Sequence, residues 1–122
     1  MPRAGIDVDI DIYGAPPTDI RLSPLLAPSH AGLPRAYIQV MTLDPVHDDG
    51  VAYERALREA GVATKLERCV LSPTACESSV HAATHSYEGV VHGTHYTFPA
   101  LSTSKAVDRD GREGLKWLLS AQ

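Results

Sequence analysis

The sequence is poor in features that mark several classes of protein. It has 122 residues with a formal net charge of −4 at pH 7 and no basic cluster, which argues against a nucleic-acid-binding surface. It has two cysteines, Cys69 and Cys76. One pair in a chain without a secretory signal is too little for a disulfide framework, so we expect free thiols.

Long apolar runs are also absent from the sequence. No stretch approaches the roughly 18 apolar residues that a membrane-spanning helix needs. Residues 1–11 alternate acids with aliphatic residues instead of forming the apolar core of a signal peptide. We therefore expect a cytoplasmic protein. A hydrophobic content of 43% is ordinary for a globular protein, and the length fits one small domain over residues 1–122.

The middle of the chain predicts a β-α-β unit. Residues 35–41 form a compact apolar run between Pro34 and an Asp-Pro turn, which predicts a buried strand. A helix follows, with Asp48 or Asp49 as its N-cap and Gly61 as a left-handed residue after its end. Alternation over residues 62–67 predicts a second strand. A helix that joins neighbouring strands implies a parallel α/β sheet.

The C-terminal part is less regular. Residues 68–87 keep neither a helical nor a strand period, and we expect an insert or a disordered loop there. Regular structure resumes at residues 88–93. A last helix is predicted over 103–119, weakened by Gly111 and Gly114. Its apolar side is predicted to hold four residues, Val107, Leu115, Leu118 and Leu119.

Two residues that can carry chemistry stand at predicted strand exits. Asp44 follows the first strand, and His92 precedes Gly93 after the residues predicted to resume the sheet. The carboxyl ends of parallel strands line the ligand crevice of open α/β sheets. An acid followed later in the chain by a histidine is also the order found in α/β-hydrolases. His95 is a rival for the role of His92, and Asp44 could instead be only a turn residue before Pro45.

Several blocks together resemble the C-terminal part of a hormone-sensitive-lipase-like carboxylesterase of the α/β-hydrolase fold. They are residues 13–19 (YGAPPTD), 23–27 (SPLLA), 44–50 (DPVHDDG), 57–62 (LREAGV) and 92–93 (HG). The resemblance implies an incomplete parallel sheet of two or three strands with flanking helices. It also implies that Asp44 is the triad acid and His92 the triad base, acting on a small-molecule carboxylic ester without a metal or cofactor.

The sequence departs from that family in three respects. The oxyanion loop and the nucleophile turn have no counterpart before Asp44, and single residues such as Ile20 differ. The 48 positions from Asp44 to His92 also exceed the roughly 30 that a helix, a strand and two short loops need. No Gly-x-Ser-x-Gly nucleophile turn occurs, and the serines before Asp44 are Ser23 and Ser29, neither of them on such a turn. Thr94 stands where the family often has phenylalanine after His-Gly. His47 replaces a residue that is often arginine, and we expect it to be exposed. The chain alone is therefore expected to be inactive, with a companion chain as a candidate source of the remaining sheet.

A second hypothesis makes the chain a metal-binding module or a non-catalytic interaction remnant. Residues 68–87 contain four ligand types that zinc accepts, Cys69, Cys76, His81 and His85. Their spacing, C-x6-C-x4-H-x3-H, matches no common structural zinc site, because close pairs usually stand two to four residues apart.

Overall fold

The computed structural model describes residues 11–67, 86–87 and 89–120. In these residues the chain forms a small parallel sheet with helices packed against it. The elements are a 3-10 turn (Pro24–Leu26), β1 (Ala36–Met41), α1 (His47–Glu59), β2 (Thr64–Glu67), β3 (Ser86–Tyr87), α2 (Thr94–Thr97) and α3 (Ser102–Leu119). The strand order is β2-β1-β3, and both pairings are parallel. The predicted α/β class and the β-α-β crossover are confirmed.

The third strand lies earlier in the chain than predicted. Val40 and Met41 of β1 pair with Ser86 and Tyr87, so the strand falls at the end of the segment interpreted as an insert. The position of this strand is set by its pairing with the C-terminal end of β1, and local sequence does not encode that pairing. Residues 68–85 lie outside the described residues, and the insert remains a prediction there.

Helix α1 packs closely against the central strand. Leu57 is 1% exposed, and a Cβ added at Gly50 would lie 2.8 Å from Cγ1 of Val40, so glycine permits the close approach. The helix ends as predicted, because Gly61 adopts φ +80° and its N–H bonds to Arg58 O. The predicted cap was wrong, however. Val46 is the cap residue, and both candidate aspartates lie within the first turn, where carboxylates favour the helix dipole.

The last helix buries only part of the predicted apolar side, and Val107 is the predicted residue that is fully buried. Its buried residues are Ser104, Val107 and Gly114, whereas Leu115 is 54% exposed and Leu119 is 77% exposed. The reason is the facing strand, which turns large side chains toward α3. A helix approaching such a strand needs small residues at the contact. Leu115 and Leu119 therefore lie outside the contact, whereas Leu118 is partly buried.

Two side chains of β1 dock on the backbone of α3. Tyr37 Oη donates to Asp110 O at 2.8 Å, and Gln39 Nε2 donates to Val107 O at 3.0 Å. The Tyr37 ring occupies the space where Gly114 would carry a Cβ. Gly114 was predicted to weaken this helix, but it also has a packing role, because the absence of a side chain makes room for the Tyr37 ring.

Replacing Gly114 with alanine should destabilise the chain. Helix propensity would favour alanine by about 1 kcal/mol, but the new methyl group would overlap the Tyr37 ring, and overpacking costs roughly 1–3 kcal/mol. We expect a net loss in the free energy of unfolding, measured by urea denaturation. Gly111→Ala is the matched control, because its Cβ would lie 3.3 Å from the flexible Gln39 Oε1. Equal effects of the two changes would contradict the packing argument.

The described apolar core is small. One cluster combines Met41, Val90 and Val107, with the partly buried Ala106 against it. It therefore joins the end of β1, the segment after β3 and the last helix. Two of its members closely precede the site residues in the sequence: Met41 lies three residues before Asp44, and Val90 lies two residues before His92. Within the described residues, no helix is long and apolar enough to cross a bilayer.

Candidate functional site

Asp44 is held by a tight turn just after β1. Its backbone N–H donates to Met41 O at 3.0 Å, and its own carbonyl accepts from the His47 N–H at 3.0 Å. Its Oδ1 accepts from the Val46 N–H at 3.0 Å, which is the local bond typical of an aspartate before a helix. The carboxylate is thereby fixed in direction, with its second oxygen left to face another partner. The side chain is only 9% exposed.

His92 lies in a loop between β3 and α2. The chain turns at Gly93, which adopts φ +72°, a conformation that side chains other than glycine rarely tolerate. The imidazole is 66% exposed. The loop therefore presents the ring to solvent at the same end of the sheet as Asp44.

The two side chains are in direct contact, although 48 positions separate them in the sequence. His92 Nδ1 lies 2.7 Å from Asp44 Oδ2, a distance typical of a charge-assisted hydrogen bond. A carboxylate on Nδ1 favours the tautomer that carries its proton there. That tautomer leaves the lone pair on Nε2, the nitrogen that can take a proton from a nucleophile.

Backbone bonds tie the two loops together beside this pair. The Leu43 N–H donates to Val90 O at 3.2 Å. The Gly89 N–H donates to Thr42 Oγ1 at 3.0 Å. These contacts fix the loops independently of the side-chain pair, so the pair is organised before any substrate arrives.

The remaining histidine and serine candidates make local contacts of their own. The imidazole of His95 packs against Tyr96, with ring centroids 3.9 Å apart. Ser23 Oγ donates to Pro17 O at 2.7 Å, and Ser29 Oγ accepts from the Ala31 N–H at 3.2 Å. Both serine hydroxyls thus serve local turns. The structure brings together Asp44 and His92, and it places neither serine hydroxyl in contact with that pair.

His47 differs from expectation. Its side chain is only 17% exposed, so the predicted exposure was wrong. Its Nδ1 lies 2.9 Å from Asp48 Oδ1, and its Nε2 is buried without a hydrogen-bond partner among the described residues. As the first residue of α1, it is turned toward the protein by the helix start. The preceding turn, which Asp44 sets, fixes that start.

Metal binding finds no support in the part of the chain that the structure describes. No group of three or more histidine, cysteine, aspartate or glutamate side chains there could hold a metal ion. The four residues of the zinc hypothesis, Cys69, Cys76, His81 and His85, lie outside the described residues.

Large apolar side chains are exposed on the segments that carry the pair. They are Leu43 (57%), Val91 (42%), Tyr96 (82%), Phe98 (57%) and Leu101 (48%). Two of them adjoin Asp44 and His92 in sequence, and the others follow within ten residues. Exposed apolar residues concentrated near one site are typical of surfaces that bind a ligand or another part of a protein.

The parallel sheet thus places an acid and a histidine together at its carboxyl end. The chain belongs to the α/β-hydrolase fold family, whose model, described as alpha/beta hydrolase fold, matches residues 1–76. The family assignment and the fold class inferred from the sequence are thereby confirmed.

Curated relatives share this assignment. The chain is 33% identical to an AB hydrolase superfamily protein of Schizosaccharomyces pombe over 116 residues, which cover 94% of this chain and 29% of that protein. It is 50% identical to the carboxylic ester hydrolase LipN of Mycobacterium tuberculosis over 60 residues, 49% of this chain and 15% of LipN. It is 46% identical to the ethyl acetate hydrolase of Pseudomonas putida over 48 residues, 39% of this chain and 15% of that enzyme.

Solved structures of related proteins have the same fold over the part that this chain covers. Vibralactone cyclase superposes with a TM-score of 0.64 at 30% identity, covering 84% of this chain and 25% of the cyclase. The esterase rPPE superposes with a TM-score of 0.62 at 28% identity, covering 86% of this chain and 28% of the esterase. The chain thus spans under one third of the length of each of these proteins.

Proposed function

We propose that this chain carries the acid and the base of a carboxylic ester hydrolase. Asp44 orients His92, and His92 moves the proton. The observation that carries the proposal is the 2.7 Å contact between His92 Nδ1 and Asp44 Oδ2 at the carboxyl end of a parallel sheet. Relatives named as ester hydrolases support this reaction class.

The mechanism follows from the tautomer that Asp44 favours. Nε2 of His92 accepts the proton of a serine hydroxyl as its oxygen attacks the ester carbonyl carbon. The imidazolium then donates that proton to the departing alcohol. A water molecule next loses a proton to His92 and attacks the carbonyl carbon of the acyl-serine. As the bond to the serine oxygen breaks and the carboxylic acid leaves, His92 returns that proton to the serine oxygen. Asp44 stabilises the imidazolium in both halves, and no step needs a metal or cofactor.

The serine and the oxyanion donors come from outside these 122 residues in this proposal. The sequence has no Gly-x-Ser-x-Gly turn. The chain also spans under one third of the length of each curated relative that it matches. The exposed apolar residues near the pair would then face the same missing part. A longer chain or a companion chain fits both features.

The experiment compares the chain alone with an assembled hydrolase. In a chimera, this chain replaces the C-terminal part of the Pseudomonas putida ethyl acetate hydrolase, beginning at the matched segment. We expect no turnover of p-nitrophenyl acetate by the chain alone and measurable turnover by the chimera. Turnover by the chain alone that survives His92→Ala would contradict the proposal. The cytoplasmic location also stays a prediction, to be checked by fractionation of the source cells.

A further inference from the structure

We propose that Thr94 is a positioning residue, whose hydroxyl group sets the orientation of His92. This inference rests on the proposed function, because it concerns the base of the same pair. Thr94 is 8% exposed, and its Oγ1 makes two hydrogen bonds to one residue on the far side of His92. It donates to Val91 O at 2.7 Å and accepts from the Val91 N–H at 3.1 Å.

The two bonds close a clamp around the histidine. Val91 directly precedes His92, and Gly93 follows with a left-handed backbone. A further backbone bond runs from the Thr94 N–H to Val91 O at 3.2 Å. The backbone is thus fixed on both sides of His92. Because the direction of Cα–Cβ depends on that backbone, the clamp decides where the imidazole points.

A role confined to starting helix α2 does not account for these contacts. A residue that caps a helix accepts from N–H groups inside the helix. Thr94 Oγ1 instead accepts from Val91, which lies three residues before the helix begins. Gly93 is the cap residue, and its cap has no side-chain bond. The hydroxyl group therefore acts on the loop that carries His92.

The clamp is also connected to the loop of the acid. Val90, next to the clamped residue, accepts the Leu43 N–H at 3.2 Å, and Leu43 directly precedes Asp44. Removing the hydroxyl would leave the partly buried Val91 N–H without its acceptor. An unsatisfied N–H favours another backbone arrangement. That rearrangement would swing His92 away from Asp44.

The test reads the histidine itself rather than activity. In the 122-residue chain with 15N-labelled histidine, nitrogen shifts correlated with ring carbon-bound protons give the ratio of the Nδ1–H to the Nε2–H tautomer of His92, at a pH where the ring is neutral. His92→Gln assigns the signal. We expect Thr94→Val, which keeps the shape and the backbone bond, to lower this ratio by roughly fivefold, the factor that corresponds to the net loss of one hydrogen bond.

Matched variants separate the hydroxyl group from packing. Thr94→Ser should keep the wild-type ratio, whereas Thr94→Ala, which differs from serine only by the hydroxyl, should lower it as valine does. The Ser/Ala pair still decides the question if valine disturbs folding. Thr97→Val is the control, because the Thr97 hydroxyl makes only a long, 3.4 Å bond, to the carbonyl of the cap residue Gly93. It should leave the ratio unchanged.

Two outcomes would overturn the role of Thr94. One is an unchanged ratio in Thr94→Val or in Thr94→Ala when the backbone amide spectrum remains native. The other is a lowered ratio in Thr94→Ser, which would make the methyl group responsible. Asp44→Asn tests the underlying pair separately and should also lower the ratio. If Asp44→Asn leaves the ratio unchanged, the proposed function fails at the pair, whatever Thr94 does.

Discussion

Replacing His92 with alanine should lower ester turnover by the chimera with the Pseudomonas putida ethyl acetate hydrolase by about 10⁶-fold, the order of loss seen when the histidine of a triad is removed. The serine hydroxyl would lose the group that accepts its proton, and the departing alcohol would lose its proton donor. The effect should fall on kcat rather than on KM, because the imidazole acts in the transition state. Initial rates with p-nitrophenyl acetate measure it.

The control is the neighbouring histidine. His95 lies three residues later and packs against Tyr96. Its replacement by alanine should leave kcat within roughly twofold, since Asp44 pairs with His92 and a ring that does not take part in the proton transfer contributes little to the transition state. If the losses are reversed, with His95→Ala the severe change, then the base has been assigned to the wrong histidine.

Replacing Asp44 with asparagine should lower kcat of the same chimera by about 10⁴-fold, by selecting the wrong tautomer of the base. Asparagine Oδ1 can still accept from the Val46 N–H, so the turn survives. The amide group that replaces Oδ2 then donates toward His92 Nδ1. That nitrogen must become the acceptor, the proton moves to Nε2, and the lone pair that the serine needs is lost.

Asp48→Asn is the matched control for the acid. Asp48 is also an aspartate beside a histidine, with its Oδ1 2.9 Å from His47 Nδ1, but its side chain is fully exposed. We expect no more than roughly a twofold change in kcat, because exposed pairs contribute little. A full retention of activity in Asp44→Asn would show that this carboxylate does not orient the base.

The sequence was sufficient to predict those helices and strands whose ends depend on nearby residues. The strand at 36–41 and the helix that ends before Gly61 were predicted because apolar patterning and a left-handed glycine act within a few residues. The parallel pairing of β1 with β2 followed from the single helix between them. The positions of Asp44 and His92 after strands were therefore readable as well.

Other features depended on what faces each element. Val107 was correctly predicted on the buried side of α3, but Leu115 and Leu119 were not. The reason is that Tyr37, 77 residues before Gly114 in the numbering, fills the space at the contact. From the sequence, Gly114 could be interpreted only as a residue that lowers helix stability, because the Tyr37 ring that it accommodates is distant in the chain. The low exposure of the His47 ring likewise depends on how the start of α1 lies against the preceding loop. Hydrophobic periodicity carries no information about that contact.

The sequence by itself determined the α/β class, the parallel order of the first two strands and the two residue types at the strand exits. It did so because hydrophobic periodicity and turn chemistry are local. Only the tertiary structure decided that Nδ1 of His92 reaches Oδ2 of Asp44 and that Thr94 bonds to Val91 across the loop that carries His92. Hydrogen bonds need agreement within a few tenths of an ångström, and that precision arises only when the strands, loops and core pack together.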